Sequence, residues 1–211
     1  IKSVHNFEND ILVTSKNIAK RYSSSKSHIQ GTMNLCLNIF DSMKKVHGMG
    51  SRERLLLQIA ALLHDCGKYI SMTHTAECSY QIVMSTEIIG ISHLEREIIA
   101  NVVRYNIRDF DYNMVRMETE LDAVTDSFGG QNEVMLLIAK LTAILRLANS
   151  MDRGHGDKLA DCKMAVKDGK LMITTDYPGD ITLEAVSFEQ KAAFFEEIFG
   201  IRPVLRHKKY S

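Results

Sequence analysis

The chain has 211 residues and a mass of 23.9 kDa, which is enough for one large domain or for a main domain with a small appendage. Apolar residues make up 45% of the sequence, a fraction that excludes a disordered chain. Lys and Arg balance Asp and Glu at 26 each, so the net charge does not indicate a nucleic-acid-binding protein. We expect no membrane span, because no apolar run is long enough, and no signal peptide opens the chain. The four scattered cysteines are typical of reduced thiols in a cytoplasmic protein.

Helical periodicity dominates the sequence up to about residue 153 and predicts seven helices. The third helix is apolar on most faces and is therefore predicted to lie in the core. Ser92 and Glu95 have the spacing of a capping box and predict the start of the fifth helix. In chain order, the predicted helices cover residues 7–22, 28–48, 52–63, 76–85, 92–105 and 114–125, followed by a long helix that Asn132 caps and that ends at Asp152.

After Gly156 the hydrophobic period changes from that of a helix to that of a strand. Asp168-Gly169 lies between two β-prone runs, residues 163–166 and 171–175, and predicts a hairpin. A strand over residues 181–186, an amphipathic helix over 188–199 and a last strand at 204–205 complete the prediction. The predicted fold class is α+β and mainly α, with a helical bundle over residues 1–156 and a small α/β subdomain over residues 157–211.

The most specific local feature is His64-Asp65, which ends the predicted core helix. An adjacent imidazole and carboxylate can converge on one divalent ion where the chain leaves its helix, and these donors suit Mg, Mn, Fe or Zn. Two ligands are too few for a working site, so a further ligand is needed upstream, which His28 could provide, and a carboxylate from a distant helix. The alternative is a buried hydrogen-bonded pair that simply finishes the helix. The sequence leaves both interpretations open.

His28, the HDCGK run at residues 64–68 and the late helix LRLANSMDRGH resemble the HD-domain superfamily, whose metal ligands follow the pattern His…His-Asp…Asp. Within it, the chain is most similar to the C-terminal half of the Ppx/GppA family, the exopolyphosphatases and guanosine pentaphosphate phosphohydrolases. The similarity extends from about residue 28 to residue 199 and implies an HD-like helical domain with a small α/β tail. The segments that carry it are ALLHDCGKYIS, SYQIVMSTEIIGIS, EREIIANVVRYN, LRLANSMDRGH and FFEEIFG.

Three positions depart from the family pattern. Asn149 stands where active HD enzymes carry the last metal-binding Asp, and a neutral amide is a poorer ligand for a hard cation. Cys78 and Asn106 stand where the family has histidines. The resemblance therefore implies a degenerate metal site with weak or absent occupancy by a divalent ion such as Mg or Mn. The candidate ligands that remain are His28, His64 and Asp65, and the last two are the candidate catalytic residues if the site is active.

Basic residues beside these motifs are candidates for phosphate binding, because the Arg guanidinium matches phosphate oxygens. The charges are unevenly distributed: residues 109–133 carry seven acids, whereas the last ten residues carry four Lys or Arg and no acid. The alternative is that these cations lie on solvated faces or form salt bridges. The candidate substrate-binding residues are Arg104, Arg108, Arg146, Arg153, Arg206 and Lys208.

Three functions remain open. The leading hypothesis is the C-terminal region of an exopolyphosphatase-like hydrolase, which binds polyphosphate or guanosine pentaphosphate and forms a homodimer. In the resembled family the hydrolytic step belongs to a preceding actin-like ATPase half, so we expect no catalysis by this chain alone; its first residue, Ile1, is compatible with a piece of a longer protein. The first alternative is a free-standing HD-type phosphohydrolase that acts on a nucleotide or alarmone through one divalent ion. The second alternative is a non-enzymatic regulatory or oligomerisation module.

Overall fold

The computed structural model describes residues 7–22, 25–113, 115, 117 and 129–208. The first part of the chain is a bundle of helices around a hydrophobic core. A short 3₁₀ turn, Cys66–Tyr69, follows the fourth helix. The helices of this part are α1 (Phe7–Tyr22), α2 (Lys26–Ser42), α3 (Lys44–His47), α4 (Ser51–Leu63), α5 (Thr75–Ser85), α6 (His93–Tyr105) and α7 (Gln131–Met151).

The second part is a three-stranded sheet with one helix, made of β1 (Lys163–Lys167), β2 (Lys170–Thr175), α8 (Thr182–Phe199) and β3 (Arg202–His207). β1 and β2 are antiparallel and are joined by Asp168 and Gly169, whose φ angles of 52° and 70° are those of a type I′ hairpin turn. β3 lies parallel to β2 after the α8 crossover. The predicted α+β, mainly α, fold class is confirmed, and the domain boundary at residue 156 stays a prediction.

A capping box sets the start of α6, as Ser92 and Glu95 predict. The Ser92 hydroxyl accepts the Glu95 N–H at 3.1 Å, and the Glu95 carboxylate accepts the Ser92 N–H at 3.1 Å. Glu95 also accepts two hydrogen bonds from the guanidinium of Arg52 in α4. Burial raises the pKa of Glu95, but the hydrogen bonds from Arg52 and Ser92 lower it below its usual value. The ionised carboxylate therefore ties the first turns of α4 and α6 together.

Two helix boundaries differ from the predicted ones. The helix predicted over residues 28–48 is divided at Met43, whose N–H donates to the carbonyl groups of both Ile39 and Phe40 before α3 begins. α7 begins after Gly130 and not at Asn132, because Gly130 takes the cap position with a φ of 134°, which a residue with a Cβ rarely adopts. The helix predicted over residues 114–125 lies outside the described residues, apart from positions 115 and 117.

The strand predicted over residues 181–186 is wrong, because this segment belongs to α8. The Asp180 carboxylate accepts hydrogen bonds from the N–H and the hydroxyl of Thr182 at 3.2 and 2.6 Å, which turns the chain just before the helix. Packing then overrides the β-prone local composition, because one side of the helix is buried from its first turn onward. The buried residues of α8, spaced by three or four positions, are Glu184, Phe188, Ala192 and Phe195.

α7 is the central helix and contacts α2, α6 and α8. Among the helices in the described ranges, α7 alone is long and apolar enough to cross a membrane, judged by length and composition only. This finding corrects the expectation that no apolar segment has that length. Of its most apolar 18-residue window, 78% is buried inside the protein. A buried core helix passes the same test, so the place of α7 in the bundle explains its composition.

Gly67 allows the turn after α4 to pack directly against α5. A Cβ at this position would lie 2.3 Å from the carbonyl oxygen of Thr75 and 2.4 Å from the backbone nitrogen of Ser79. The Gly67 N–H donates to the Ser79 hydroxyl at 2.9 Å. Because the nearest atoms belong to the backbone of α5, they cannot rotate away from a side chain. This contact fixes the turn that begins at Asp65.

We expect Gly67→Ala to lower the free energy of unfolding by about 1–3 kcal/mol, because the added methyl group forces α5 away from the turn. Urea denaturation measures this change. Gly156→Ala is the matched control: its Cβ would meet the nearest side chain, that of Lys158, at 3.5 Å, so we expect a change within about 0.5 kcal/mol. Equal unfolding midpoints for Gly67→Ala and the wild type would contradict the close contact.

Candidate functional site

Three predicted ligands come together at the N-terminal end of α2 and the C-terminal end of α4. His28 lies in the first turn of α2, and His64 and Asp65 directly follow α4. One nitrogen or oxygen atom from each of the three residues lies within 4.8 Å of the other two. Both imidazoles are almost completely buried, whereas Asp65 is partly exposed. The structure thus places these residues as a metal site requires, and metal ligation itself stays a prediction.

The outer nitrogen of each imidazole has a hydrogen-bond acceptor. Nδ1 of His28 lies 2.7 Å from Oδ2 of Asp152, and Nδ1 of His64 lies 2.6 Å from the carbonyl oxygen of Ala61. Because these oxygens accept, each Nδ1 carries a hydrogen, and a ring in its neutral form presents a lone pair at Nε2. The two Nε2 atoms are 3.3 Å apart. Two lone pairs that face each other favour a cation beside them, so this arrangement fits a metal ion.

Asp65 adds negative charge to the two lone pairs. Its carboxylate oxygens lie 3.8 Å from Nε2 of His28, 3.6 Å from Nε2 of His64 and 2.9 Å from Nζ of Lys68. Burial raises the pKa of Asp65, but His64 and Lys68 lower it below its usual value. Burial lowers the pKa of His64, which favours the neutral ring. Two imidazole nitrogens and one carboxylate form a donor set that suits a divalent transition metal.

Asp152, at the end of α7, orients His28 from behind. Its second oxygen accepts the Asp157 N–H at 2.8 Å. Burial raises the pKa of Asp152, but the hydrogen bonds from His28 and Asp157 lower it below its usual value. The His155 ring stacks on the His28 ring, with centroids 3.8 Å apart and planes at 10°. A carboxylate behind a metal-binding imidazole fixes the ring and raises its basicity, so we assign Asp152 a positioning role.

A cavity of about 300 Å³ opens beside Asp65. Its wall is formed by residues of the turn after α4, the end of α6, the last turns of α7 and the middle of α8. Among the described lining residues, four cationic side chains stand against the one carboxylate of Asp65, and several neutral polar side chains complete the lining. The cationic residues are Lys68, Arg146, Arg153 and Lys191, and the neutral polar residues include Asn106, Asn149, Ser150 and Ser187.

Arg146 is the most buried of these cations, with an exposed fraction of 8%. Its Nε donates to the carbonyl oxygen of Tyr105 at 2.7 Å, and an NH2 group of the same guanidinium donates to the carbonyl oxygen of Arg108. The guanidinium carbon lies 4.7 Å from the centroid of the Phe194 ring. These partners hold the guanidinium in place but carry no full negative charge.

The positive charge of the cavity is only partly balanced. Within the described ranges, no carboxylate forms a salt bridge with Arg146, Arg153 or Lys191. Burial lowers the pKa of Lys191, and repulsion from Arg146 and Arg153 lowers it further, against the opposite effect of Asp109. Burial also lowers the pKa of Arg146. The cavity therefore favours an anion.

The structure separates the other predicted substrate-binding cations from this cavity. Arg104 and Arg108 both pair with Glu77, Arg104 at 3.1 Å, and all three residues line a neighbouring cavity. Arg206 is exposed on β3, and Lys208, after β3, lines a third cavity. The six predicted cations thus lie in three separate places. The role of the four outside the cavity in substrate binding stays a prediction.

A sequence model of Ppx/GppA phosphatase, domain III, matches residues 12–191. The chain belongs to the Ppx/GppA phosphatase family. The resemblance noted in the sequence is thereby confirmed, and the chain corresponds to the C-terminal part of an exopolyphosphatase-like protein. A comparison with curated proteins gives no match.

Three residues that the structure places in the histidine cluster or the cavity were not among the site residues predicted from the sequence. Asp152 follows Asn149 by one helical turn, and this spacing was the available signal for a carboxylate near the cluster. Lys68 follows Asp65 by three residues and pairs with it. Lys191 had no signal of its own, because α8 brings it to the cavity from the distant end of the chain.

We expect weak or absent occupancy by a divalent ion at the cluster, because the neutral Asn149 replaces the distal carboxylate that hard cations prefer. Elemental analysis of gently purified protein measures the occupancy. Asn149→Asp should raise the affinity for Mn, since it adds a negative charge to the cavity that Asp65 lines.

Asn34→Asp provides a control with the same change of charge on an exposed side of α2, and it should leave metal affinity unchanged. A stoichiometric metal in the wild type that disappears in His64→Ala would show that the site is not degenerate.

Proposed function

We propose that this domain III binds polyphosphate in the cavity beside Asp65 and contributes to a homodimer, while an N-terminal actin-like ATPase half of the same protein carries out hydrolysis. One observation carries the proposal: in the described part of the chain, four cationic side chains line the cavity against one carboxylate. Guanosine pentaphosphate, another phosphate-rich anion, fits the same excess of charge.

The arrangement of the cations supports a phosphate ligand. Arg146 is held by carbonyl oxygens, so its charge is already in place before an anion binds. A buried charge is unfavourable unless it is compensated, and an anion in the cavity would complete the compensation. Arg153 is exposed and Lys191 is half-buried, so both can reach phosphate oxygens without breaking a salt bridge within the described ranges. The planar guanidinium of Arg153 matches two oxygens of one phosphate group.

Exposed apolar side chains on the turn after α4 support the homodimer. Tyr69, Ile70 and Met72 are 70%, 60% and 74% exposed. Tyr69 packs edge-on against Tyr22 of α1, with ring centroids 5.6 Å apart. Neighbouring exposed apolar side chains are typical of protein–protein contacts, so we propose that the subunit interface includes Tyr69 and Ile70, which do not line the cavity.

A second candidate function is a metal-dependent phosphohydrolase, and the two facing Nε2 atoms of His28 and His64 favour it. A divalent ion held there with Asp65 would act as a Lewis acid on a phosphoryl oxygen. Asn149 counts against this candidate. Release of phosphate by the chain alone, abolished in Asp65→Ala, would favour the phosphohydrolase over a domain that only binds polyphosphate. A purely regulatory module would neither release phosphate nor bind polyphosphate.

We expect the chain to bind long polyphosphate with an affinity that falls steeply as the salt concentration rises, because each Lys or Arg side chain that contacts a phosphate releases counterions from the polyanion. In Arg153→Gln/Lys191→Gln the affinity should fall, and the slope of log affinity against log salt should decrease by about one unit for each cation removed. Isothermal titration calorimetry at several salt concentrations measures both quantities.

The matched control removes two cations from the sheet, in Lys170→Gln/Arg202→Gln, where Arg202 already pairs with Glu189 and Glu196. An equal loss of affinity in both double variants would place binding outside the cavity. Sedimentation velocity on the same samples tests the homodimer, and a monomer at every concentration would contradict that part of the proposal.

A further inference from the structure

The Asn106 side chain is buried against the cavity without hydrogen-bond partners. Asn106 is the residue that caps the C-terminal end of α6, and its exposed fraction is 6%. Within the described ranges it is the one residue with two buried and unpartnered side-chain atoms, the donor Nδ2 and the acceptor Oδ1. Buried amides in folded proteins nearly always have partners. Because Asn106 lines the cavity, a ligand there can supply them.

The two amide atoms define what such a ligand must offer. Nδ2 needs an acceptor, and Oδ1 needs a donor. Every phosphate group offers acceptor oxygens, but a phosphate inside a polyphosphate chain has no hydroxyl group. A terminal phosphate, a phosphate monoester or inorganic phosphate carries a hydroxyl when singly protonated, and therefore offers both. The cations of the cavity match its charge, and the volume of about 300 Å³ is at the small end of the range for small-molecule sites.

We propose that this cavity binds a terminal phosphate group, with the Asn106 amide donating to one phosphate oxygen and accepting the phosphate hydroxyl. The inference rests on the proposed function, because it specifies which part of a polyphosphate enters the cavity. Arg153 and Lys191 attract the phosphate group by their positive charge, and Asn106 distinguishes a phosphate that carries a hydroxyl from one that does not. The group selected is the end of a chain or a free phosphate, and not a phosphate in the middle of a chain.

Sulfate tests this selection directly, because it is a tetrahedral dianion like hydrogen phosphate but has no hydroxyl near neutral pH. At about pH 8, where inorganic phosphate is mainly the hydrogen phosphate dianion and still carries one hydroxyl, calorimetry on the 211-residue chain should give an affinity for inorganic phosphate about tenfold higher than that for sulfate. At about pH 6, where a terminal phosphate is partly protonated, polyphosphate with free ends should bind about tenfold more tightly than polyphosphate whose terminal groups are methyl esters.

Asn106→Leu removes both amide atoms at similar volume and should abolish these two preferences, while long polyphosphate still binds in a salt-dependent way. Asn101→Leu is the matched control, since Asn101 is another buried amide of α6 and does not line the cavity. It should keep both preferences. If Asn106→Leu does not fold, the comparison of ligands on the wild type decides the matter.

The outcomes separate the two proposals. Equal affinities for phosphate and sulfate, or for free and methylated ends, would overturn the end-group inference and leave polyphosphate binding intact. A preference for phosphate over sulfate without any binding of polyphosphate would support the inference for a free phosphate or monoester and overturn the proposed function. No binding of phosphate, sulfate or polyphosphate would overturn both.

Discussion

The buried guanidinium of Arg146 is the contact on which the cavity depends. It extends from α7 to the carbonyl groups of Tyr105 and Arg108 at the end of α6, and it lies against the Phe194 ring of α8. Three helices therefore meet around one cation. A buried cation is unfavourable unless it is compensated, and carbonyl oxygens with an aromatic ring compensate it only in part. The positive charge of the cavity is thus a consequence of how the helices pack.

The last two turns of α7 serve two sites with different charge. Arg146 and Asn149 are three residues apart and share one face of α7, and Arg153, just after the end of the helix, lines the cavity with them. Asp152 lies off that face and holds His28 in the histidine cluster. Asp65 belongs to both sites, because it faces the two imidazoles and also lines the cavity. A cation at the cluster would therefore raise the attraction of the cavity for an anion, which couples the two candidate activities.

Local features of the fold could be predicted from the sequence, because the capping box at Ser92 and the turn at Asp168 depend on side chains a few residues apart. The start of α8 could not be predicted, because the burial of Glu184 depends on packing between distant segments. The histidine cluster could be predicted in part, because His64 and Asp65 are neighbours at the end of a predicted core helix, whereas the position of His28 beside them depends on the tertiary fold. The anion site was least accessible, since Lys191 reaches it through the tertiary fold and the charge balance depends on which carboxylates lie nearby.

The pKa of Lys191 is the most direct measure of whether the cavity is positive and open to anions. NMR titration of its side chain, in the free chain and with tripolyphosphate, gives this value. We expect a pKa below the ordinary lysine value in the free chain, because burial and the charges of Arg146 and Arg153 disfavour protonation. Binding of the anion should raise it. An ordinary lysine pKa that tripolyphosphate leaves unchanged would contradict the account.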